Sequence, residues 1–194
     1  MTDHALFRWT NDLARHTPWL HGAARLFAND GVVLFGLLLV VGALWARRVS
    51  LLLLVRSVLA GVGVLLAVAV NQPIVAAVNA QRPFTVYPHA LVLVHRSTDP
   101  SFPSDHATMA GAVAVGLFLV NRRLGAVAAA LALVMAATRV YVGAHFPLDV
   151  VAGLLLGGAV AAVVQLPARA LATRSPVRRL SDTWVTGRSH RLAS

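Results

Sequence analysis

Five apolar runs separated by short polar clusters set the pattern of the chain. The first, Gly31 to Ala46, is uninterrupted and is stopped by Arg47-Arg48. The second, Ser50 to Val78, is broken only by Arg56 and by Asn71-Gln72-Pro73, where a kink is expected. The third runs from His106 to Val120 and is closed by Arg122-Arg123; the fourth covers Leu124 to Gly143 and the fifth Leu148 to Leu166. A helix needs about 20 residues, at about 1.5 Å each, to cross a hydrocarbon core of about 30 Å. Each run is therefore read as a spanning helix, the first at the short end and drawing on its flanks. The fourth and fifth are rich in Ala and Gly, which let membrane helices approach closely, and Gly153, Gly157 and Gly158 make a small-residue face on the fifth.

Ahead of these runs, residues 4 to 28 place Leu6, Phe7, Trp9, Leu13, Trp19, Leu20, Leu26 and Phe27 among charges, with a break at Thr17-Pro18. Two short amphipathic helices lying in the membrane interface are expected there. Between Gln81 and Asp105 the chain is polar and carries Pro83, Pro88, Pro100 and Pro103, which predicts a loop long enough to be functional. The expected fold class is an all-α integral membrane protein of about five transmembrane helices with N-terminal interfacial amphipathic helices. The expected organisation is 1–29 for those helices, 30–168 for the transmembrane unit and 169–194 for a basic cytoplasmic tail near anionic headgroups.

Composition agrees with a bilayer: 58% of residues are apolar, against about 45–50% in soluble domains. All seventeen basic residues are arginine and all seven acids aspartate, giving a net charge of +10. Most arginines flank apolar segments, which argues for membrane orientation and against nucleic acid as partner. There is no cysteine, so disulfides and thiolate metal sites are excluded. The first thirty residues carry Arg8, Asp12, Arg15, Arg25 and Asp30, so no cleavable signal is expected and the first span serves for insertion. With five spans, Arg47-Arg48, Arg122-Arg123 and the tail share one side, which the positive-inside rule makes cytoplasmic. Three polar islands then meet on the opposite face.

Those islands are Arg82-Pro83, Pro103-Ser104-Asp105-His106, and Arg139 followed by His145 and Asp149. Two guanidiniums offer planar paired donors that stay charged, which suits a phosphate. Proline followed by Ser104 or Asp105 as cap starts a helix whose N-terminus faces an anion favourably. Arg139, an ionisable group near the end of an apolar helix, marks a functional site by default, with snorkelling to the headgroups as the plain alternative. His145 and Asp149 are four apart with Pro147 in the first turn of the fifth helix, so an aspartate can hold one ring nitrogen and leave the other to attack. One histidine attacking phosphorus and another protonating the leaving oxygen would make a phosphatase. The other histidines, His4, His16, His21, His89, His95 and His190, read as interfacial, loop or tail residues; Arg56 reads as a snorkelling residue.

Arg-Pro, then Pro-Ser-x-His, then Arg with five residues to His and three more to Asp resembles the three-part signature of the type 2 phosphatidic acid phosphatase superfamily. The similarity covers about residues 71 to 160. The stretches Arg82-Pro83-Phe84, Ser101 to Thr108 and Arg139 to Asp149 resemble its bacitracin-resistance branch, which hydrolyses undecaprenyl diphosphate and commonly has an aspartate where Asp105 stands. The resemblance implies His145 as nucleophile forming a phosphohistidine, Asp149 as the residue that orients it and His106 as general acid and then base. It also implies Arg82, Ser104 and Arg139 as phosphate ligands, and chemistry with neither metal nor cofactor. Asp105 and, from its place in the loop, Arg96 are further candidates for phosphate contact. Two positions depart: Val75 stands where the signature has a lysine, and Thr138 where it has serine. Arg96, Asn79 or Gln81 is expected to supply part of the missing donor capacity. The implied substrate is a polyprenyl diphosphate or another lipid phosphate, met with membrane lipids at the extracytoplasmic face of a bacterial inner membrane. Phosphatidic acid, phosphatidylglycerol phosphate and diacylglycerol diphosphate are the alternatives, and an anion-binding carrier without turnover is the rival from another class.

Overall fold

The computed structural model describes residues 2–167. Among them the regular structure is helical: α1 (Asp3–His16), α2 (His21–Asp30), α3 (Val32–Val49), α4 (Leu51–Val78), α5 (Pro83–Val86), α6 (Asp105–Phe118), α7 (Arg122–Tyr141) and α8 (Pro147–Val164). The fold is that of an all-α membrane protein, as the apolar runs predict. The expected basic tail, 169–194, lies outside the described residues.

Four of these helices, α3, α4, α7 and α8, are long and apolar enough to cross a bilayer. The third expected span is α6, and it differs in kind. Its 14 residues extend about 21 Å at 1.5 Å each, short of a hydrocarbon core. It sits instead in the middle of the bundle, packed most extensively on α8, then on α7 and α4. Ala107, Thr108, Ala110, Gly111, Ala112, Val113, Ala114, Gly116 and Leu117 are all buried. A helix sheathed by others need not match the membrane thickness, because its ends are met by protein.

The α6–α8 contact is made backbone to backbone. A side-chain carbon at Gly157 would stand 1.8 Å from the Thr108 carbonyl oxygen, and one at Gly153 2.6 Å from that of Ser104. The small face expected on the last helix therefore serves to press the start of α8 against the start of α6.

By contrast α3 and α4 leave Leu37, Val40, Leu51, Val58 and Leu65 exposed, as helices facing lipid do. Pro73 lies inside α4, and α4 ends at Asn79 in a left-handed conformation.

The N-terminal helices are amphipathic as expected, with Phe7, Asn11 and Ala14 of α1 buried and Trp9 and Leu13 exposed. They are also tied to the bundle. Asn11 exchanges two hydrogen bonds with the Leu91 backbone, at 2.8 and 3.0 Å. Asp3 Oδ1 accepts from Leu148 N–H at 2.9 Å and so caps the start of α8.

Candidate active site

The C-terminal ends of α4 and α7 and the N-terminal ends of α6 and α8 point the same way. All three polar islands therefore arrive at one end of the bundle. The long connection between α4 and α6 folds over that end and is sewn down by its backbone. Ser101 N–H donates to Ala80 O at 2.8 Å, Leu93 N–H to Val142 O at 3.0 Å, and Ser104 N–H to Asp149 O at 3.0 Å.

Arg82 is the N-cap of α5, with Pro83 fixing the next φ. Its guanidinium donates to three carbonyls: Nε to Asp99 (2.7 Å), Nη1 to Ala144 (3.2 Å) and Nη2 to Pro100 (3.4 Å). Of its five N–H groups, two stay available for another acceptor. Half-buried, it is pushed below the ordinary arginine pKa by desolvation, which the charges of Asp99, Asp149 and Asp105 oppose.

Ser104 caps α6 by position, yet its Oγ makes no capping bond. That oxygen is buried and without a partner among the described residues. Asp105 opens the helix; its Oδ1 accepts from the amides of Asn71 (2.7 Å) and Gln72 (2.9 Å), and Asn71 also donates to Pro103 O at 3.2 Å. Asn71 and Gln72 of α4 thus hold the Ser104-Asp105 turn. His106 follows, within electrostatic reach of Arg139, His145 and Arg82.

Arg139 occupies the last turn of α7 and is 8% exposed, so it does not snorkel. Nη1 donates to Ala28 O at 3.1 Å, the end of α2, while the buried Nε has no partner among the described residues. A buried polar donor without a partner costs about 1–3 kcal/mol, so the Ser104 hydroxyl and Arg139 Nε each have capacity for a further acceptor.

After α7 the chain turns through Gly143, whose φ of +79° favours glycine. His145 follows, 3% exposed, with Asp149 in the first turn of α8. The nearest acceptor of His145 Nδ1 is the carbonyl of Ser101 at 2.9 Å, while Asp149 Oδ2 stands 3.5 Å away. That carboxylate accepts from Phe146 N–H (2.8 Å) and from the Ser101 hydroxyl. Burial pushes His145 below the usual imidazole pKa, the Asp149 hydrogen bond opposes this, and the charges of Arg139 and Arg82 add to it. Burial thus favours the neutral imidazole. No hydrogen bond occupies its Nε2 among the described residues.

Arg82, Ser104, Asp105, His106, Arg139, His145 and Asp149 are thus brought to one site. Arg96 is not among the groups bonded there: exposed, it lies over the Phe84 ring, 5.6 Å from the centroid. Gln81 borders a cleft of about 450 Å³ whose wall includes Asp149. Sequence reasoning gave no role to Ser101 or to the amides of Asn71 and Gln72. Asn71 carried a signal, a polar residue within an apolar helix; Ser101 carried only its place at the start of the stretch Ser101 to Thr108.

The site can receive a tetrahedral anion between two guanidiniums and a serine hydroxyl, with a neutral imidazole alongside. The chain is 30% identical over 151 residues to the bacitracin transport permease protein BcrC of Bacillus licheniformis, covering 78% of this chain and 73% of that protein. It is 26% identical over 155 residues to the undecaprenyl-diphosphatase BcrC of Bacillus subtilis, covering 79% and 78%. The crystal structure of Aquifex aeolicus LpxE matches it with a TM-score of 0.66 and 28% identity, over 82% of this chain and 92% of that one. The sequence also matches the PAP2 superfamily over residues 56–170, a stretch that contains every residue of the assembled site. Fold, site and sequence agree, and the chain belongs to the PAP2 superfamily.

Proposed function

We propose that the protein is a membrane phosphatase that removes the terminal phosphate of a polyprenyl diphosphate, undecaprenyl diphosphate in particular, and so recycles the lipid carrier of cell-wall synthesis. The single observation that carries the proposal is the neutral, buried His145, its Nδ1 tied to a carbonyl and its Nε2 unencumbered, beside two arginines and an unpartnered serine hydroxyl. Nε2 attacks the terminal phosphorus; the N–P bond forms as the bridging P–O bond breaks, and His106 protonates the departing lipid monophosphate. His106 then takes a proton from water, which attacks the phosphohistidine and releases inorganic phosphate. Arg82, Arg139 and Ser104 meet the charge spread over the phosphoryl oxygens in the transition state. Asp149 acts on His145 by holding its surroundings, and Asp105, held by two amides, shapes the turn that carries Ser104.

A lipid substrate is supported by an apolar cleft of about 640 Å³ between α1, α2, α7 and α8, lined in part by Leu13, Phe27, Val140 and Val151. Its wall includes Thr138 and Val140, the sequence neighbours of Arg139, and Val150, the neighbour of Asp149. The arginines Arg47, Arg48, Arg122 and Arg123 lie at the opposite end of the bundle, which through the positive-inside rule supports a site on the extracytoplasmic face of a bacterial inner membrane.

The test is phosphate release by the purified, detergent-solubilised protein with chelator present and no metal added. Undecaprenyl diphosphate, phosphatidic acid and phosphatidylglycerol phosphate are compared, with His145→Ala as control. A clear preference for the diphosphate and an inactive mutant are expected. Equal release from all three would make it a broad lipid phosphatase. No release by folded protein would favour an anion-binding carrier, the class that the permease name of the Bacillus licheniformis relative suggests.

A further inference from the structure

Given the phosphatase proposed above, on which this depends, we propose that Ser101 is a positioning residue for His145, its carbonyl fixing the imidazole tautomer and its hydroxyl holding Asp149 off the ring. Ser101 has no exposure to solvent. Its backbone N–H is fastened to Ala80 O at 2.8 Å, and its neighbour Pro100 gives its carbonyl to Arg82. One residue thus touches both ends of the His145–Asp149 pair: the carbonyl at 2.9 Å from Nδ1, and the hydroxyl 3.5 Å from the same nitrogen while donating to Asp149 Oδ2.

The chemistry of each contact sets its consequence. A carbonyl only accepts, so the 2.9 Å bond requires the proton on Nδ1 and leaves the lone pair on Nε2. A carboxylate that already accepts from the Ser101 hydroxyl and from Phe146 N–H is held in place, 3.5 Å from the ring rather than closed onto it. A fully engaged aspartate would stabilise the imidazolium and make His145 easier to protonate. The shared aspartate keeps the nucleophile neutral while still fixing its position. The charged or titratable groups facing His145 are Asp149 from α8, Arg139 from α7, Arg82 from the start of α5 and His106 from α6. Among them Asp149 alone raises the proton affinity of the ring.

Ser101→Ala keeps the carbonyl and removes the hydroxyl, which lets Asp149 turn to Nδ1. The acid limb of the kcat/KM profile is then expected to move to higher pH, with kcat falling about tenfold, the size of one lost hydrogen bond, and KM unchanged. Asp149→Asn is expected to move the limb the opposite way. Ser101→Cys keeps the volume but donates only weakly, so it should shift the limb as alanine does, which separates the hydroxyl from simple packing. A lowered melting temperature with the limb unmoved in both Ser101 variants would overturn the inference.

Nitrogen NMR of ¹⁵N-histidine-labelled wild-type protein, with His145→Ala to assign the signal, gives a readout that needs no turnover. A neutral ring protonated at Nδ1 is expected, and the Nε2-protonated tautomer would overturn the inference. Wild-type protein that releases no phosphate would sink the phosphatase instead, leaving the tautomer still measurable.

Discussion

The two ends of the bundle spend their polar groups differently. At the end that carries His145, many polar groups bond residues distant in sequence: Ser101 to Ala80, Ser104 to Asp149, Leu93 to Val142, Arg82 to Asp99 and Ala144, Asn71 to Asp105. At the other end two long-range side-chain bonds, Arg56 to Leu119 O and Gln165 to Arg56 O, stand beside local caps. Ser50 Oγ accepts from Leu53 N–H, and Asn121 Oδ1 from the N–H groups of Arg123 and Leu124. Local caps end helices and cost the chain little order. Long-range bonds fix where one helix end stands relative to another, and a phosphoryl-transfer site needs that positioning.

The largest expected effect is therefore at the site end. His145→Gln removes the attacking nitrogen and should lower kcat by at least about 10⁴-fold, as loss of a nucleophile does, with the melting temperature little changed. Arg139→Lys comes next. Lysine keeps the charge but cannot both reach Ala28 O and present a planar fork, so a loss of about 10²-fold in kcat/KM is expected in steady-state kinetics. The pH profile follows from the same geometry. His145 lies below its ordinary pKa of 6.5, so its active neutral form persists to lower pH. Activity should fall only as the pH drops below that value, and an acid limb above 6.5 would contradict the burial of the ring.

At the opposite end Asn121→Ala should cost about 1 kcal/mol of stability, as a lost N-cap does, with kcat unchanged. Arg122→Ala combined with Arg123→Ala should leave detergent-phase kcat within about twofold, being surface changes. A large kinetic effect of either would erase the difference between the two ends.

Much of this was legible in the sequence because a charge in an apolar run is rare enough to be informative. Arg139, His145 and Asp149 could be named as a group from their spacing, and the apolar runs predicted the helices. What surrounds the third run was not legible: a short, mostly apolar run reads alike whether lipid or protein surrounds it. Only the close approach at Gly153 and Gly157 places α6 inside the bundle. Arg96 was expected near the phosphates from its position in the loop, but the fold lays it over Phe84. Ser101 stood in a resembling stretch, but its contacts were not legible, because one is made by a carbonyl, which every residue has, and the other by a hydroxyl that only the tertiary fold brings to Asp149.

The central claim is that His145 becomes covalently phosphorylated. The most direct measurement is acid-free quenching of wild-type protein during turnover of ³²P-labelled undecaprenyl diphosphate, labelled at the terminal phosphate, followed by peptide mapping. An acid-labile, alkali-stable label on the peptide containing His145, absent from His145→Gln, is the predicted result. Full turnover with no labelled protein at any quench time, or label on another residue, would contradict the account.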